Sequence, residues 1–166
     1  FSATELKDQF SKLPTEYLKT VVETLFQALQ GAGEQQEEYL KNRVIPFVKS
    51  FWPSKPEART PETNRYFAQM AAVSQNGFED AFACFKNHLG QTTDFSYLLH
   101  LLEDGGLAAD HPSEILALLN ATIPQDVPYL YGGLRSLLDI IQGANPDLSN
   151  HPPFIRLSVL SQQHEN

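Results

Sequence analysis

Cys84 and His88 stand four residues apart in FEDAFACFKNHL, a run that reads as a helix, so their side chains fall on one face. A thiolate and an imidazole at that spacing can give zinc two ligands. A structural zinc site needs about four, and no second close pair lies nearby, so the two read as partly buried neighbours. Cys84 also lacks the setting of a nucleophile: it sits among aromatic residues in mid-helix, not at a helix N-terminus. His100 precedes Glu103 and Asp104 by three and four residues, the spacing of an exposed imidazole with acidic helix neighbours. An enzyme built here would need His100, Glu103, Asp104 and His111 to line one concave pocket, with a nucleophile that no motif supplies. His111 and His151 each precede a proline at a helix start. Gly105-Gly106 and Gly132-Gly133 follow no strand and lead to no Gly-Lys-Ser/Thr, so neither is a phosphate loop. Asn120-Ala121-Thr122 fits a glycosylation acceptor by pattern alone. The reading is no catalytic residue, no cofactor and no metal.

The other chemistry-bearing stretch is YLKNRVIPFVKSFWPSKPEARTPETNRY, residues 39–66. From Lys41 to Arg65 it holds six basic residues against Glu57 and Glu62. From Asp94 onward nine acids face only Arg135 and Arg156, and the whole chain carries a net charge of −8. A basic segment in an acidic molecule is either a solvated face or a docking surface for an acidic or phosphate-bearing partner. Lys49, Lys55, Arg59, Arg65 and Trp52 are the candidate partner-binding residues. Phe47, Phe51, Trp52, Tyr66 and Phe67 interleave with the cations, which could stack bases. Their helical spacing fits core packing better, and the net charge argues against nucleic acid.

The chain has 166 residues, 42% of them hydrophobic, enough for one folded domain. No apolar run approaches the roughly 18 residues of a membrane span. One Cys fits a reducing cytosol, and a cytoplasmic setting is expected. The first residue is Phe and not Met, which leads us to expect a fragment of a longer protein.

The elements that must position these residues read as helices. Ser2-Ala3-Thr4-Glu5 is a capping box. Pro14-Thr15-Glu16 restarts a helix whose stripe is Tyr17, Leu18, Val21, Val22, Leu25, Phe26 and Leu29, closed by Gly31-Ala32-Gly33. The next stripe is Tyr39, Leu40, Val44, Phe47, Val48 and Phe51, with Phe47 expected deep in the core. Pro46 inside it predicts a kink, or a break after Arg43. Trp52-Pro53 ends that helix, and Thr60-Pro61-Glu62 starts another. Further helices are expected over Phe78 to Leu89, from Thr93 or Asp94 to Leu102, from Pro112 to Ile123, from Asp126 to Ile141 and from Pro152 to Leu160, with residues 161–166 a frayed tail.

No stretch alternates with period two, so the fold class is all-α, with eight or nine helices over a single domain. Alternate helices recur at steps of roughly 32 to 45 residues, which predicts a degenerate α-solenoid of HEAT or armadillo style, with a compact irregular bundle as the alternative.

The run RVIPFVKSFWP with RTPE, and the later LLHLLEDGGL with HPSEILALLN, resemble C-terminal helical regions of large bacterial multidomain proteins of the sirtuin-like or ATPase phage-defence type. That resemblance implies a non-enzymatic module that senses, docks or oligomerises, its partner being another domain of the parent or a separate protein. It carries over no catalytic residue. Two alternatives stand beside it: nucleic-acid or phosphate-ligand binding through residues 41–65, and an enzyme with an unrecognised helical site.

Overall fold

The computed structural model describes residues 3–127, 130 and 132–164. They form helices and turns, with no strand among the described residues, so the fold is all-α. No helix among them is long and apolar enough to cross a membrane. The chain gathers into two compact units, Phe1–Gly90 and Gln91–Asn166.

In the first unit, α1 spans Ala3–Ser11 and α2 spans Thr15–Gly31. Ser2 of the expected capping box lies outside the described residues. Pro14 precedes α2, and Leu18, Val22, Phe26 and Leu29 bury its stripe. Gly33 takes the left-handed backbone (φ 57°) that turns the chain out of α2. A four-residue helix α3, Gln36–Tyr39, runs into a π turn, Leu40–Val44, and on into α4, Ile45–Phe51.

The π turn is the form the Pro46 irregularity takes. Pro46 has no N–H for the carbonyl four residues back, and its ring crowds that turn. Opening the preceding turn relieves the crowding without ending the helix: the Ile45 amide bonds the Leu40 carbonyl, five residues back. The extra residue shifts the helical register. Ile45 enters the core with Leu40, Val44 and Val48, while Phe47 and Phe51 are only half-buried. Phe47 is therefore not the deep core residue that its spacing suggested.

Trp52 takes an extended backbone before Pro53 and ends α4, as expected. Helix α5, Pro61–Val73, opens on a reciprocal cap. The Thr60 hydroxyl accepts from the Thr63 amide at 3.2 Å, and the Thr63 hydroxyl accepts from the Thr60 amide at 2.9 Å. Helix α5 is the centre of this unit, packed against α2 and against α6, Phe78–Phe85. Phe67, Ala68, Met70, Ala71 and Ala72 are all buried, as are Asn64 and Gln69. Helix α6 ends at Phe85, short of the expected Leu89. A 3₁₀ turn, Lys86–His88, follows, and Leu89 is extended and buried.

In the second unit α7 spans Ser96–Gly105, starting two residues later than expected behind a buried Phe95. Gly106 adopts φ 71° and separates α7 from a short helix, α8, Leu107–Asp110, that the sequence reading did not foresee. Helix α9, Pro112–Thr122, starts at its proline. Helix α10 spans Leu134–Ala144, not from Asp126. Asp126 and Val127 are non-helical, Pro128, Tyr129 and Tyr131 lie outside the described residues, and Gly133 at φ 116° sets the start. Helix α11, Pro152–Gln163, runs on through Ser161, which is buried and bonds the Ser158 carbonyl, so residues 161–163 of the expected tail are helical. Helix α10 packs on α7, α8, α9 and α11. That puts α10 at the centre of its unit, the packing of a helical bundle.

Candidate functional site

The basic segment does not act as one set. Lys55 turns inward and its Nζ donates to the Ser11 carbonyl, tying the loop after α4 to the end of α1. Arg65 lies over the Tyr66 ring, its guanidinium carbon 4.9 Å from the centroid, and donates to the Tyr66 hydroxyl at 3.2 Å. Trp52 is only 3% exposed; its ring meets Phe67 edge-on at 5.0 Å and Phe10 at 5.9 Å. The structure places Trp52 in the core as the packing of this corner, not on a binding surface. Lys49 and Arg59 are exposed and make no ion pair among the described residues.

These two cations flank one turn. Lys49, on α4, acts on the thiol of Cys84, and Arg59, just before α5, acts on the imidazole of His88. Cys84, near the end of α6, and His88, in the 3₁₀ turn that follows it, stand four residues apart, and the exposed Lys86 belongs to the same turn. The structure thus adds Lys86 to the set. The sequence reading missed it because it lies 21 positions beyond Arg65, and only the α4–α6 packing brings the segments together.

The turn itself packs on aromatic rings. His88 stacks on Phe67 at 5.1 Å and 27°, and Phe67 in turn meets Phe85 at 5.4 Å. Burial pushes the Cys84 thiol up to about 11, with Lys49 opposing only in part. The thiol is therefore protonated at neutral pH and unsuited to nucleophilic attack. Burial, then Arg59, lowers the pKa of His88, so the ring sits neutral on Phe67 at neutral pH. No group of three or more His, Cys, Asp or Glu capable of holding a metal occurs among the described residues.

The polar residues of the second unit are directed to one another. His100 pairs with Asp104 at 3.2 Å on an exposed helix face. Glu103 points elsewhere, with its carboxylate against Gly133, where a Cβ would overlap it. Arg135 bonds the Ser158 hydroxyl at 2.9 Å and lies 3.6 Å from Asp139. Arg156, on α11, closes the end of α9: it donates to the Asn120 side chain and to the carbonyls of Asn120, Ile123 and Pro124. The Asn120 side chain is engaged there, and Thr122 is fully buried, so the glycosylation pattern sits inside a packed helix end.

No family model matches this sequence, and comparison with curated proteins and with solved structures finds no match.

Proposed function

We propose that this chain is a non-enzymatic helical interaction module that docks an acidic protein segment on the face formed by Lys49, Arg59 and Lys86. The observation that carries the reading is that two exposed cations from separate segments, Lys49 and Arg59, act on the Cys84–His88 turn, which holds the exposed Lys86 and the half-buried His88, and that none of the three makes an ion pair among the described residues. Long-stemmed cations suit carboxylates: the charges steer and hold, and the stems cover apolar surface. The acidic segment belongs to another domain of the same parent or to a second protein, in a bacterial setting as the resemblance implies and a cytoplasmic one as the single cysteine suggests.

Because the whole chain is at −8, a carboxylate-rich partner is repelled in bulk, and binding has to come from this face. The test is fluorescence anisotropy with a labelled glutamate-rich peptide and, in parallel, a single-stranded oligonucleotide. Peptide binding that weakens with salt and is lost in Lys49→Glu/Arg59→Glu supports the reading. No peptide binding at low salt overturns it, and preferential oligonucleotide binding transfers the face to the phosphate-ligand alternative.

A further inference from the structure

A second feature of the first unit stands apart from the basic face. Gln35, Glu38, Tyr39, Asn42 and Arg43, with Ala32, line a cleft of about 540 Å³ along α3 and the π turn. That volume lies in the range of small-molecule sites. None of the five polar side chains has a hydrogen bond or ion pair among the described residues. Opposite charges, Glu38 and Arg43, line the same cleft without pairing.

The backbone explains how they come to share it. In a regular α-helix residues i and i+4 share a face, and i+5 lies roughly 140° round the axis. A π turn closes on i+5, which swings residue 43 back toward the side that carries 38 and 42. The irregularity at Pro46 thus gives one wall a carboxylate, a guanidinium and two amides, with the Tyr39 ring beside them.

We propose that this cleft binds a small zwitterion, an ammonium and a carboxylate on one short skeleton. The ammonium meets Glu38, the carboxylate meets Arg43, and the Gln35 and Asn42 amides satisfy the remaining donors and acceptors. A zwitterion supplies both missing counter-charges at once, whereas an anion or a cation alone leaves one cleft charge unmatched and meets repulsion from the like one. The site is independent of the docking face, because none of its residues belongs to it.

The experiment is an NMR titration of the ¹⁵N-labelled chain with glycine, β-alanine and γ-aminobutyrate, against propionate and propylamine as single-charge analogues. At least one zwitterion should give saturable shifts confined to residues near 35–43, with each single-charge analogue about tenfold weaker or more. Glu38→Gln and Arg43→Gln should each weaken that zwitterion by about tenfold, while Lys41→Gln, outside this cleft, should not. No saturation by any zwitterion up to about 10 mM overturns the proposal, as does equal binding by the single-charge analogues. The analogue comparison uses the unmodified chain, so the result stands whatever the variants do to folding.

Discussion

The two units handle charge in opposite ways. Residues 1–90 carry ten Lys and Arg against eleven Asp and Glu, and several of those cations, Lys49, Arg59 and Lys86 among them, project without an ion pair among the described residues. Residues 91–166 carry only two, Arg135 and Arg156, against nine acids, and both are tied down inside that unit. The cores differ too. The first is built on aromatic contacts centred on Phe67, which touches Trp52, Phe85 and His88. The second is almost wholly leucine and isoleucine, with Leu134, Leu137, Leu138 and Ile141 of α10 at its centre. A cation that closes a helix end is structural, and a cation left exposed is open to a partner. On the proposed function, recognition falls to the first unit, while the cations of the second close helix ends.

Four substitutions test that contrast, in decreasing order of effect. Phe67→Ala should cost about 3 to 5 kcal/mol in urea melts, because Phe67 is 1% exposed and joins three rings. Arg156→Met should cost about 2 kcal/mol, since three carbonyls at the end of α9 lose their donor, and hydrogen exchange should rise at residues 119–124. Phe47→Ala should cost about 1 to 2 kcal/mol, as its ring is half-buried; a loss equal to that of Phe67→Ala would show that the shifted register is wrong. Lys49→Glu should leave stability within about 0.5 kcal/mol and act only on partner binding, the reverse of Arg156→Met.

A smaller effect concerns pH. The pKa of His88 is held below its ordinary 6.5, first by burial and then by Arg59. The unfolded chain therefore binds its proton first as pH falls, and the stability due to the neutral ring is present above about pH 6.5 and lost as pH falls through the lower folded value. His88→Phe should flatten that part of the stability profile. An unchanged slope below pH 6.5 would mean that the ring is not held neutral on Phe67.

Much of the architecture was legible because helix starts are local. Thr60-Pro61, Pro112 and Pro152 each open a helix where the sequence said. What failed depended on register or tertiary packing. A 3.6-residue period carried through Pro46 puts Phe47 inward and overlooks Ile45; one inserted residue in the π turn reverses both. The start of α10 was set too early because Gly133 at φ 116° outweighs the Asp-Val-Pro signal. Of the five candidate docking residues, Lys49 and Arg59 face outward, whereas Trp52, Lys55 and Arg65 are engaged within their own fold. Nothing in a linear reading separates a lysine that bonds Ser11 from one that projects, and nothing links Lys86 to Lys49 before α6 packs on α4.

The most direct test of the docking face is chemical-shift mapping of the ¹⁵N-labelled chain with an unlabelled glutamate-rich peptide at low salt. The account predicts shifts centred on Lys49, Arg59 and residues 84–88, fading as salt rises, with residues 91–164 unmoved. Shifts centred in the second unit, or none at all, would contradict it.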